Sequence, residues 1–283
     1  MKIQLGILFL MSASLFTDGQ SLDRAATTKM KSDQNITVLE LRNYRLKPKT
    51  VERFRDLFNG QFVEPMNELN GYTVGQFRIE NDEDRFIWMR GFADMRTRFK
   101  FLNDFYLNSQ VWKKYRSDAN SMIINSDNVY LLRPLTDVGK GYSRERLQNN
   151  GEIVVVDFYV CNSTLDQVIE LFRKRYLPFL ESLNVSDVTV WVSEMTENDF
   201  PRLPVFQDKN LLVTMTRYKN EREYRQKSKQ IKMMPAKLDT TMQELITTSS
   251  LLELYPVSHN QKNRTAKLKG DSSKLIATSD NPL

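Results

Sequence analysis

Two stretches of this chain, VYLLRPL at 129–135 and LLELYPV at 251–257, set a proline at the same point of an apolar run. They are one pair among several. GFADMRTR at 91–98 echoes RYKNEREYR at 217–225: an aromatic, one residue, a helix-capping residue, then Arg96 or Arg222 two further on. EPMNEL at 64–69 and LPFLESL at 177–183 both put a proline late in an amphipathic run, where it should kink or end a helix. Repetition of this kind constrains a fold strongly, because each copy has to form the same unit and bury the same faces.

The order of elements within each copy follows from periodicity. LELRNYRL at 39–46 reads as a strand, and Val51, Phe54, Leu57, Phe58 and Phe62 follow at helical spacing. NGYTVGQFRIE (70–80) and DRFIWMRGF (84–92) read as a strand pair. Asp94 opens a second helical stretch with Phe99, Leu102, Phe105, Tyr106 and Trp112 available for burial, and NVYLLRPL closes the copy as a strand ended by Pro134. The second copy runs EIVVVDFYV, a helix capped by Thr164, two strands joined by a longer proline-containing loop, a helix capped by Asn220, and SSLLELYPV. Each copy is β-α-β-β-α-β, the ferredoxin-like order. The expected fold is α+β: two ferredoxin-like repeats, 36–137 and 151–258, forming a pseudo-symmetric dimeric α/β barrel, with a linker at 138–150 and a flexible basic tail at 259–283.

Lys2 followed by an apolar run from Ile3 to Phe16 has the pattern of a secretory signal peptide, so residues 1–20 are read as one. The protein is then expected to be periplasmic or secreted, and not integral to a membrane once the signal is removed. With Met30 as the start it would be cytoplasmic. The formal charge is +6, of which the tail 259–283 carries +3 and residues 1–35 carry +1, which leaves about +2 for the middle. That is too little for a nucleic-acid footprint. Cys161 and His259 are each the sole residue of their kind. An intrachain disulfide is excluded, and a Cys/His metal site or a Ser-His-Asp triad is not expected. No metal and no cofactor are expected, and haem binding lacks a core histidine to serve as axial ligand.

LELRNYRLKPKTVERFRDLF, YTVGQFRIE, RFIWMRGFADMRTR and VYLLRPL resemble the NIPSNAP family. The resemblance covers about 36–135 in its motifs and 152–258 in order and periodicity, with Lys49 standing where a glycine is common. It implies a dimeric α+β barrel and no established catalytic motif. The same broad fold includes cofactor-free monooxygenases and haem-binding enzymes, so fold alone does not choose a function.

Alternation puts Glu40, Arg42 and Tyr44 on one face of the first strand, and Leu39 and Leu41 on the other. The leucines are expected to cover the helices and the polar trio to point into the barrel, joined by Gln76, Arg78, Trp88, Arg90 and Arg133. That set is read either as a ligand-pocket wall or as a structural ion pair of Glu40 with an arginine. Aligning LELRNY with VVVDFY sets Val155, Asp157 and Tyr159 opposite Glu40, Arg42 and Tyr44, so an Arg42–Asp157 pair across the repeats is expected. The functional expectation is a protein that binds a small hydrophobic or anionic ligand, or a protein partner, through the barrel interior or surface. The alternative is a cofactor-free monooxygenase- or isomerase-like enzyme acting on an aromatic or quinol substrate. Either a monomer with an internal pseudo-dimer or a homo-oligomer satisfies the repeat.

Overall fold

The structure, a computed structural model, describes residues 36–80, 82–139, 152–162, 164–207 and 210–257. The segment 1–20 that is read as a signal peptide, the tail at 259–283 and most of the expected linker lie outside the described residues.

The first half contains β1 (Val38–Leu46), helix α1 (51–68), β2 (Tyr72–Ile79), β3 (Asp82–Phe92), α2 (95–108), α3 (Gln110–Met122), the short β4 (Ile123–Asn125) and β5 (Val129–Gly139). The second contains β6 (Ile153–Cys161), α4 (165–182), β7 (Val188–Ser193), β8 (Leu211–Tyr218), α5 (Glu221–Ile231), α6 (Ala236–Leu245) and β9 (Ile246–Pro256). All strand pairings are antiparallel, in the order β3-β2-β9-β6-β8-β7-β5-β1, and β1 also pairs with β3, so eight strands close into a barrel. β4 lies beside β1. The order within each half is second-third-first-fourth, and the seams between halves are β5–β7 and β2–β9.

Closure hides two faces of every strand. The interior is filled by apolar side chains of both halves, among them Leu39, Leu41, Ile87, Val156, Trp191 and Val213. Outside the barrel, two further cores lie between sheet and helices, one per half. The orientation expected for β1 is therefore reversed. Its leucines fill the barrel, while Glu40, Arg42 and Tyr44 face the helices, as does Trp88. The physical reason is that β1 is buried almost throughout, so alternation separates the two faces without saying which is inner.

The first helices of the two halves share details that periodicity alone does not foretell. α1 takes a π-helical turn at Phe58–Phe62 ahead of Pro65, and α4 takes one at Phe172–Tyr176 ahead of Pro178. Proline removes an N–H and crowds the preceding turn; the wider turn accommodates both effects, and each helix continues briefly beyond its proline. Both helices then end in a Schellman motif. Asn70 (φ 65°) and Asn184 (φ 56°) take the left-handed position. Gly71 N–H donates to Met66 at 2.9 Å and Val185 N–H to Leu180 at 2.9 Å.

Asp94 and Asn220 cap α2 and α5, accepting from Thr97 N–H at 2.6 Å and Glu223 N–H at 3.0 Å. Thr164 holds the capping position of α4 without a side-chain bond. Pro134 does not end β5. The strand runs on to Gly139, and its register against β7 shifts after Pro134, where the missing donor breaks the ladder.

Candidate functional site

Cross-strand pairing of β1 with β3 sets Glu40 opposite Arg90 and Arg42 opposite Trp88 on the helix-facing side of the first half. From above comes Arg98 of α2, on the same helical face as Phe101, Leu102 and Phe105, and fully buried. Glu40 collects four guanidinium bonds. Arg42 Nη1 donates at 2.8 Å, Arg90 Nε and Nη2 at 2.9 and 2.6 Å, and Arg98 Nε at 2.8 Å. Burial would raise the Glu40 carboxyl, but Arg90, Arg42 and Arg98 outweigh it and hold the group well below the usual carboxylate range. One carboxylate faces three guanidinium groups, so the cluster carries an excess of positive charge.

That excess is directed at two phenols. Arg42 Nε donates to Tyr44 Oη at 3.0 Å, and Arg90 Nη1 donates to Tyr106 Oη at 3.1 Å. A phenol oxygen that accepts from an arginine must send its own O–H elsewhere. Burial pushes the Tyr44 phenol up, with Arg42 opposing, so the group stays neutral and able to donate.

Both phenols line a cavity of about 200 Å³ between the sheet and α1, α2 and α3. Its walls are mostly aromatic, with Phe58, Trp88 and Trp112 prominent. Phe58 and Trp88 pack edge to face at 4.7 Å, and Tyr106 and Trp112 at 4.9 Å. The indole N–H of Trp88, 1% exposed, has no hydrogen-bond partner in the structure. Leu203 closes one side and comes from the β7–β8 loop of the second half.

Of the expected site residues, Glu40, Arg42, Tyr44, Trp88 and Arg90 are brought together here. Gln76 turns to Asn59 of α1 at 2.6 Å, Arg78 stacks on Tyr255 at 4.9 Å, and Arg133 is exposed on β5. Asp157 and Tyr159 lie in the other helix layer, so the expected Arg42–Asp157 pair does not form. β1 and β6 are not neighbours in the barrel, and the two side chains leave it on opposite sides. Glu40 and Arg42 form an ion pair, and Tyr44 accepts from the same guanidinium. Arg98, Tyr106 and Trp112 complete the site. Arg98 could have been found, since it is a charged residue on the apolar stripe of an amphipathic helix.

The second half is built differently at the equivalent place. Asp157 pairs across the strands with Thr214, whose hydroxyl donates to it at 3.4 Å, and Tyr159 and Tyr176 sit nearby with their hydroxyls 3.4 Å apart. With no arginine beside it, burial pushes the Asp157 carboxyl up to about 6, slightly offset by Thr214. Among the described residues no cluster of His, Cys, Asp and Glu is arranged to hold a metal ion, and no helix is long and apolar enough to cross a membrane.

No family model matches the chain, and no curated protein matches it. Solved structures share its fold. A candidate monooxygenase from Fusobacterium nucleatum superposes over 79% of this chain and 94% of its own, with a TM-score of 0.51 and 12% identity. An anthrone oxidase-like protein covers 80% of this chain and 94% of its own at a TM-score of 0.46 and 9% identity. A NIPSNAP family protein from Agrobacterium tumefaciens matches over 35% of this chain and 94% of its own at 0.33 and 19%. The NIPSNAP likeness thus reaches about a third of the chain. These are likenesses of fold, and activity has to be argued from the residues.

Proposed function

We propose that the chain is a fused pair of ferredoxin-like units that binds one small, flat, ring-containing molecule in the sheet–helix cavity of its first half. The bound molecule presents an oxygen acceptor to Trp88, Tyr44 and Tyr106. The observation that carries this reading is the unpartnered indole N–H of Trp88, a residue of the cavity lining. A buried donor left without a partner costs about 1–3 kcal/mol, and a ligand oxygen would recover it. Two phenols whose O–H groups are turned away from their arginines supply further donors, and the arginines behind them favour an oxygen of partial negative charge. An apolar cavity of about 150 Å³ is enough to hold benzene; the one here suits one or two rings.

A second reading, catalysis of proton transfer or oxygenation on such a molecule, would use the same phenols as hydrogen-bond donors. It is less favoured because Glu40, the carboxylate nearest the cavity, is saturated by guanidinium bonds and is a weak base.

The test is fluorescence titration with α-tetralone, a two-ring aryl ketone, against tetralin, its hydrocarbon counterpart. The ketone should bind more tightly by about tenfold, the worth of one buried hydrogen bond. Trp88→Phe should erase most of that preference, with the fold of the variant checked by its denaturation midpoint. Equal affinity for both compounds in the native protein would refute the acceptor assignment. Native mass spectrometry of protein taken from its host would then identify the resident molecule.

A further inference from the structure

The cavity is roofed by two kinds of wall. The sheet, α1, α2 and α3 are held by their own backbone ladders. Ile123 and Ser126 line the cavity at the end of α3, and a further wall is the β7–β8 loop, which crosses from the second half and whose described part spans 194–207. Its base is tied to β5: Glu194 N–H donates to Leu131 at 2.9 Å, and Phe206 N–H donates to Val129 at 2.7 Å. Between those ties the loop is held by side chains. Asn198 Oδ1 accepts from Arg98 Nη1 at 3.0 Å, and Asp199 lies 3.8 Å from the same nitrogen. Phe200 packs on Tyr106 at 6.3 Å between centroids, and Leu203 forms cavity wall. Asn198 also gathers the loop on itself, donating to the carbonyls of Phe200 and Leu203 at 3.4 and 3.0 Å. Met195, Thr196, Glu197, Pro201 and Arg202 are exposed.

From this we infer that segment 197–204 is a lid contributed by the second half, latched by Asn198 to the buried Arg98, with Leu203 as the plug that sets the depth of the cavity. It rests on the binding reading above and goes beyond it by naming the wall that moves. Of the cavity's walls, the loop is the one whose displacement breaks fewest bonds, and it is the one through which the mouth would widen. Opening here breaks the Asn198 bond to Arg98, separates Asp199 from the same guanidinium and withdraws two apolar side chains, Phe200 and Leu203. Arg98 keeps its bond to Glu40 in either state, and its Nη2, which has no partner in the closed form, is then free to reach water.

Amide hydrogen exchange on the full chain tests the lid without any ligand. Asn198→Ala should speed exchange of 197–204 by about tenfold, equivalent to about 1.4 kcal/mol, while amides of β6 and β8 stay unchanged. Asn198→Asp keeps the acceptor that Arg98 uses and loses the two donations to Phe200 and Leu203, so it should speed the same segment by less than Asn198→Ala does. Stopped-flow mixing with α-tetralone reads the gate: association and dissociation rates should rise together in Asn198→Ala, and by less in Asn198→Asp. If exchange in 197–204 is as slow as in β6 and does not respond to either variant, the lid is refuted. Equally, a lid that loosens while both probe rates stay fixed overturns its role as the gate. Should α-tetralone not bind the native protein, the binding reading fails, and the exchange result still decides whether the lid exists.

Discussion

Glu40 is the residue on which the first half depends. It sits at the centre of three buried guanidinium groups, none of which has water to fall back on. Glu40→Gln would leave three buried charges with a neutral acceptor, and removing one partner from such a cluster costs about 3–5 kcal/mol. Urea denaturation at neutral pH should show a loss of that size; a loss below about 1 kcal/mol would mean that the cluster relaxes to solvent. Asp157 makes the opposite case. Its folded-state pKa of about 6 lies above its ordinary value, so its contribution is full below that ordinary value and is lost as pH rises through 6. Asp157→Asn should therefore gain on the native protein between pH 4 and pH 7, by at most about 3 kcal/mol. A stability difference that stays flat across that range would show the carboxylate to be hydrated. These two residues occupy neighbouring positions in the alignment of the repeats, and chemistry separates them: one half supplies arginines and the other does not.

At the scale of elements, much was legible. Helices and strands came from periodicity, and the caps at Asp94 and Asn220 came from side chains that meet backbone donors three residues on. Those signals are local. The direction in which β1 faces was not legible, because Leu39 and Arg42 are equally buried and the inner surface of a closed barrel is as apolar as the outer. Half of the expected residues, Glu40, Arg42, Tyr44, Trp88 and Arg90, lie together, on the helix side of the sheet and not on the barrel side. The loop carrying Leu203 was legible only as a long connection, since its value lies in contacts with Tyr106 and Arg98 about a hundred residues away in sequence. Lys49 adds a local detail. It adopts φ 64°, a left-handed conformation that suits glycine and that a lysine holds at some cost in strain.

For the whole molecule, closure makes each half complete the other: the interior is shared, the seams are inter-half, and the first half's cavity takes its lid from the second. The halves are alike in topology and unlike in content. Where β1 and β3 pair Glu40 with Arg90 and Arg42 with Trp88, β6 and β8 pair Val155 with Thr216 and Asp157 with Thr214. A symmetrical assembly of two identical halves would present two equal sites. This chain should titrate to one equivalent of α-tetralone, with a simple hyperbolic isotherm, because the valine at the glutamate's counterpart leaves no anchor for a second guanidinium cluster. Isothermal calorimetry that saturated at two equivalents would contradict this. On the proposed reading, joining two unlike halves in one chain fixes the stoichiometry at one ligand, and the second set of walls serves as scaffold and door.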